Sequence, residues 1–155
     1  MFRIALVTSL LVVGAAPIAA IAADDHVAVS ADELKWGPAP PAFPKGAQIA
    51  VVAGDPSKEG LYAVRLKVPA GYKVPPHVHP NDEQVTVISG TFNIGTGPTL
   101  EEKNGHALKA GGFLKMPANT QHSAWFTEDS IIQVHGVGPQ GLTYVNPADD
   151  PRKSN

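Results

Sequence analysis

From Gln48 to His135 the chain is a succession of short extended runs broken by turn signals, with no helical period. Gln48 to Ala53 is one such run, closed by Gly54-Asp55-Pro56. Leu61 to Val68 sets Tyr62, Val64, Leu66 and Val68 against Ala63, Arg65 and Lys67, the period-2 alternation of a half-buried strand. Pro75 and Pro76 forbid a helix between Lys73 and His79. Glu83 to Ser89, Thr91 to Gly95, Gly112 to Met116, His122 to Phe126 and Ile131 to His135 follow at similar spacing. Turns at Gly95-Thr96-Gly97-Pro98, Pro117-Ala118-Asn119 and Glu128-Asp129-Ser130 separate several of them. Many short strands at such intervals predict an all-β sandwich or barrel. A chain of 155 residues holds one such domain with a real core rather than two.

Both ends of the chain depart from this pattern. Arg3, the apolar run Ile4 to Val13 and the small-x-small series Ala20-Ile21-Ala22 read as a signal peptide over residues 1–22. The mature protein is then expected in the periplasm or secreted, starting at Ala23 or Asp24, with no stable membrane anchor after cleavage. Residues 23–47 form a Pro-rich extended arm, centred on Trp36-Gly37-Pro38-Ala39-Pro40-Pro41, which Trp36 and Phe43 could pin to the barrel or to a second subunit. Residues 48–155 are the barrel with its C-terminal tail. Gly136 to Leu142 reads as a return loop in preference to a cover over the barrel mouth.

Composition removes whole classes of function. The chain has no cysteine, so thiolate catalysis and thiolate metal ligands are excluded. The net charge is −2 and becomes more negative once Arg3 leaves with the signal. No basic run exists, so nucleic acid is not an expected partner.

The histidines carry the chemistry. His77 and His79 are two apart on an extended segment and leave the same face. Glu83 opens the next strand after the short turn Pro80-Asn81-Asp82, close enough to fold back beside them. His122 opens a later strand after another Pro-containing turn. Three imidazoles and a carboxylate suit one divalent transition metal, Mn, Fe, Ni, Cu or Zn. His-x-His by itself is also compatible with two surface histidines.

The spacing is more specific. Gly71, five residues, His77-Val78-His79, three residues, Glu83, six residues and Gly90 resemble the first motif of the cupin superfamily. Gly111, five residues, Pro117-Ala118-Asn119, two residues and His122 resemble the second, after a gap of 20 residues. The resemblance implies a small single-domain cupin: a double-stranded β-helix (jelly-roll) barrel with the metal inside its mouth on His77, His79, Glu83 and His122. Two positions depart from the pattern. Asn119 stands where glycine is usual, and asparagine tolerates the left-handed backbone such a turn needs. Phe126 stands where asparagine is frequent; it shares a face with His122 and Ala124, and so is expected to point into the barrel. The pocket is then more apolar than in germin-like cupins, which weakens any transfer of their oxalate chemistry.

Ile131, Gln133 and His135 share one strand face, so Gln133 and His135 are either lining groups of the cavity or a hydrogen-bonded structural pair. His106 is expected in an exposed loop and His26 in solvent. Trp125 alternates away from His122 and is expected on the outside, at a dimer contact. Tyr62, Phe92, Phe113 and Met116 are either core or pocket wall.

Three functions fit this frame. The first is a metal-dependent oxidoreductase, dioxygenase-like, acting on a small oxygenated compound, with Glu83 a fixed ligand or a catalytic acceptor of the substrate proton. The second is a non-enzymatic periplasmic binder of metal or a small metabolite. The third is a metal-assisted isomerase or lyase. Cupins resemble dimer formers, and the arm with Trp36 offers a clasp for a homodimer.

Overall fold

The computed structural model describes residues 26–153, so the expected signal segment lies outside the described residues. Eleven strands form: β1 (Gly37–Pro38), β2 (Gln48–Ala53), β3 (Gly60–Val68), β4 (Lys73–Val78), β5 (Glu83–Ser89), β6 (Thr91–Thr96), β7 (His106–Lys109), β8 (Phe113–Met116), β9 (His122–Trp125), β10 (Ser130–Gly138) and β11 (Thr143–Tyr144). They build a six-stranded sheet in the order β1-β2-β3-β10-β5-β8 and a five-stranded sheet in the order β11-β4-β9-β6-β7. Every pairing is antiparallel. From β3 onward the chain passes between the sheets at almost every turn, which is the expected jelly roll. Among the described residues no helix is long and apolar enough to cross a membrane.

The alternation of β3 decides which face is inside. Tyr62, Val64, Leu66 and Val68 are buried, and they meet Val85 and Val87 of β5 and Ile132 and Val134 of β10. Val74, Phe92, Ile94 and Ala124 close the core from the other sheet. Burying a side chain of this size contributes roughly 1.5–3 kcal/mol relative to exposure, so the folded barrel has a core of its own.

Two turns are held by specific bonds. Asn119 adopts φ 59°, the left-handed conformation expected of it, and its N–H donates to the His79 carbonyl at 2.8 Å. Asp82 accepts a hydrogen bond from the Ala118 N–H at 2.9 Å and pairs with Lys115 at 2.9 Å. The turn before Glu83 is thereby tied to the turn before His122.

The arm packs on its own barrel. β1 pairs with β2, and Leu34 is buried. The Tyr72 hydroxyl donates to the Pro44 carbonyl and the Tyr144 hydroxyl to the Ala42 carbonyl, both at 2.7 Å. The Lys67 ammonium sits 4.5 Å from the centre of the Trp36 ring. His106 is exposed, but it opens the edge strand β7 rather than lying in a loop. Trp125 turns away from His122 as expected, yet it is 4% exposed and so offers no dimer contact. It lies under the turn that ends at Gly105, where any Cβ would collide with its ring.

Candidate metal centre

His77, His79 and His122 are all buried, and one ring nitrogen from each lies within 4.8 Å of the others. A bulge brings them together. Lys73 and Val74 pair with Trp125 and Ala124, but His77 pairs with His122, so β4 carries one residue more than β9 over this stretch. Without it, alternation from the buried Val74 would turn His77 and His79 outward. Pro75 and Pro76 occupy the extra length, where a missing N–H costs no ladder bond.

The three rings are oriented by backbone. Nδ1 of His77 lies 2.7 Å from the Pro75 carbonyl, that of His79 2.6 Å from the Gly141 carbonyl, and that of His122 2.8 Å from the Thr120 carbonyl. Each Nδ1–H donates to its carbonyl and leaves the Nε2 lone pair free, the usual arrangement of a metal-ligating imidazole. The Nε2 of His79 is buried and makes no hydrogen bond among the described residues. A carboxylate completes the group: Glu83 Oε1 is 3.4 Å from His79 Nε2 and Oε2 is 3.5 Å from His122 Nε2. An orphaned buried lone pair beside two more imidazoles and a carboxylate fits a divalent metal.

The electrostatics favour that state. Burial, reinforced by the neighbouring His122 and His79, lowers the His77 pKa from 6.5 to about 3, so its ring stays neutral. Burial pushes the Glu83 carboxyl up, but the hydrogen bond with His122 and the surrounding histidines outweigh it, and it ends below the ordinary value. Neutral imidazoles and an ionised carboxylate are the ligand forms a metal needs.

The space beside the group is small and apolar. A chamber of about 40 Å³ touches His77, His79, Glu83 and His122 and is walled by residues that include Phe43, Phe92, Phe126 and Leu142. Phe126 faces it, packed 5.6 Å from Phe92 and 6.2 Å from Tyr72 between ring centres. A groove of about 310 Å³ reaches His79 and Glu83 from the surface, between Ala42 and Phe43 of the arm and Gln140 to Leu142 of the tail. The tail is therefore part of the site, contrary to the plain return loop expected: Leu142 lines the chamber and β11 pairs with β4 at His77. Arg152 clamps this tail, bonded to both Asp150 carboxylate oxygens at 2.7 and 2.9 Å and to the Leu142 carbonyl at 3.2 Å.

Gln133 and His135 do not reach the metal cavity. On β10 the buried residues are Ile132 and Val134, so Gln133 and His135 point to the outer face, where they line a separate shallow groove. Nor are they bonded to each other: Gln133 accepts from Arg65 Nε at 3.1 Å, and the His135 ring lies 6.4 Å from that of Phe113. Phe113 is likewise outside, 54% exposed, whereas Met116 is core and the buried Phe92 and Tyr62 also wall the chamber and the groove. Phe43, Leu142, Gln140 and Arg152 are site residues that strand alternation does not reveal, because they come from segments outside the two main sheets.

Comparison with known proteins agrees with this architecture. A family described as ChrR cupin-like domain matches residues 24–140. No curated protein matches the sequence. Among solved structures, a protein provisionally named an acetylacetone dioxygenase from Methylibium petroleiphilum PM1 is similar with a TM-score of 0.63 at 24% identity, over 81% of this chain and 85% of that one. The polyketide cyclase RemF from Streptomyces resistomycificus is similar with a TM-score of 0.65 at 15% identity, over 80% and 88%. An RmlC-like cupin from Ralstonia eutropha JMP134 gives 0.61 at 22%, over 79% and 74%. At these identities the likeness carries the fold and nothing of the chemistry.

Proposed function

Because the chain belongs to the ChrR cupin-like domain family, we propose that it holds one divalent transition metal on His77, His79, His122 and Glu83 and is a dioxygenase-like oxidoreductase acting on a small oxygenated compound. The observation that carries this reading is the set of three carbonyl-oriented imidazoles whose Nε2 atoms converge in an apolar chamber. A bound redox-active metal would supply Lewis acidity and electron transfer to dioxygen. The chain's own residues do the rest. Phe126, Phe92 and Leu142 keep water from the reacting oxygens. The groove of about 310 Å³ lies at the lower end of the range for small-molecule sites, which selects for a compact substrate. Glu83 spans His79 and His122 and is placed either to remain a ligand or to accept a proton from the hydroxyl of a bound enol or from the carbon between the carbonyls of a β-diketone.

The small inner chamber favours a second reading, a non-enzymatic binder of metal or a metabolite. About 40 Å³ is little more than one water's share of liquid volume, so chemistry requires the substrate to be seated in the groove. Oxygen consumption by protein loaded separately with iron, manganese, nickel and copper, across a panel of enols, β-diketones, flavonols and small acids, distinguishes the two. Uptake with one metal and one compound class is the expected result. Full metal occupancy with no uptake throughout would move the assignment to the binder. We also propose, from the signal-like series of Arg3, Ile4 to Val13 and Ala20-Ile21-Ala22, that the mature chain is periplasmic or secreted, and that it forms a homodimer.

A further inference from the structure

The three tyrosines of the chain all bury their rings, but only two use their hydroxyls on protein. Those of Tyr72 and Tyr144 donate to carbonyls of the arm. The Tyr62 hydroxyl donates to no acceptor among the described residues, although its side chain is only 4% exposed. An unsatisfied buried hydroxyl costs about 1–3 kcal/mol, so it calls for an occupant.

Register shows where this hydroxyl points. Gly136 of β10 pairs with Tyr62 on one side and with Glu83 on the other, so the three lie in one row across β3, β10 and β5. Residues directly opposite share a face, here the inner one. Gly136 has no side chain, and the phenol lies over it: a Cβ there would stand 3.5 Å from the hydroxyl. Strands are about 4.8 Å apart, so a phenol laid across β10 ends beside Glu83. Gln140 meets it from the tail. Its Oε1 accepts from the Gly141 N–H at 3.3 Å, and its buried Nε2, which makes no closer bond among the described residues, lies against the Tyr62 oxygen as a donor to it. Tyr62 and Gln140 line the same groove as His79 and Glu83.

We infer that the Tyr62 hydroxyl, backed by the Gln140 carboxamide, is the second anchor of the site, donating a hydrogen bond to an oxygen of a small ligand held at the metal. This rests on the metal-centre reading given above. A free phenol proton backed by a carboxamide, in the groove that reaches His79 and Glu83, specifies a compact oxygen chelator, an enolate or carboxylate, with its apolar part toward Phe43 and Leu142. Asp150 neutralises Arg152 at the rim, so the recognition lies with the phenol and its carboxamide rather than with a free cation. Tyr62 and Gln140 are positioning residues; no proton transfer is assigned to them.

The test loads the full mature chain with Co(II), whose visible spectrum reports coordination, and titrates it with acetohydroxamate, a small two-oxygen chelator. Tyr62→Phe and Gln140→Leu should bind Co(II) like the parent protein. Tyr62→Phe should weaken acetohydroxamate by about five- to tenfold, the worth of one hydrogen bond, and Gln140→Leu should also weaken it. Without metal or chelator, Tyr62→Phe should melt at the same temperature as the parent or higher, since an unsatisfied hydroxyl has been removed. Unchanged acetohydroxamate affinity in both variants, a lower melting temperature for metal-free Tyr62→Phe, or no acetohydroxamate binding by the Co(II)-loaded parent would each overturn the inference. Failure of the parent to take up Co(II) is a separate result and overturns the metal centre itself.

Discussion

Three rings with their Nδ1 atoms fixed by carbonyls are worth little singly as ligands and much together. Alanine at His77, His79 or His122 should each remove most of the bound metal by elemental analysis, whereas His106→Ala, on an exposed edge strand, should retain it. Equal loss in the His106 variant would refute the ligand set. Acid should act at the same residues. The His77 pKa lies below its unfolded value, so the unfolded chain binds the extra proton between about 6.5 and about 3. Its contribution to stability is present above that window and is lost as pH falls through it, at up to about 1.4 kcal/mol per pH unit. Metal-free protein followed by urea melts should show this slope, and His77→Gln should flatten it; parallel curves would remove His77 as the cause. Much of this was legible in the sequence. The spacing of His77, His79, Glu83 and His122 brought all four into one group, and Phe126 faces their chamber. Gln133 and His135 lie on the outer face instead, because alternation separates two faces without saying which is inside. Ile132 and Val134 on the same strand carried the answer, since the more apolar set takes the core.

At the scale of elements, the bulge in β4 decides more than any single ligand. The alternation of Lys73 to His79 is consistent with His77 and His79 sharing a face, yet that face is inward only because Pro75 and Pro76 fill one extra position opposite β9. Deleting Pro76 should restore simple pairing and turn both imidazoles away from His122. The expected outcome is loss of metal with the β-type circular dichroism retained; metal bound at parental stoichiometry would show that the bulge is dispensable. The arm is the other element whose role the sequence left open. Tyr144→Phe should cost about 1–3 kcal/mol, since it strands the Ala42 carbonyl. That loss is readable as a lower denaturation midpoint. No local pattern in a Pro-rich stretch tells which surface it will lie on, and the partners of this one, Tyr72 and Tyr144, are far away in sequence.

For the whole molecule, the core stands without the metal, so chelation should leave the β spectrum intact at neutral pH. Metal should then raise the melting temperature through preferential binding to the folded state, by about 2.7 kcal/mol at a hundredfold excess over its Kd. Collapse of the spectrum on chelation would make the metal structural. The outer face of the six-stranded sheet carries Leu61 at 81% exposure opposite Val137, itself 54% exposed. If this exposed apolar pair meets a second copy of the chain in the proposed homodimer, Leu61→Lys should shift sedimentation from dimer to monomer; a parent protein that sediments as a monomer refutes this. The division of labour around the cavity has a consequence for how such proteins diversify. The metal holder is made of paired strands, whose register tolerates little change. The doorway is made of Ala42 and Phe43 from one end of the chain and Gln140 to Leu142, latched by Arg152, from the other. Lock and keyhole are thus written in different stretches of sequence. Substitutions in those two stretches can change what enters the groove, while the strand-borne histidines stay untouched.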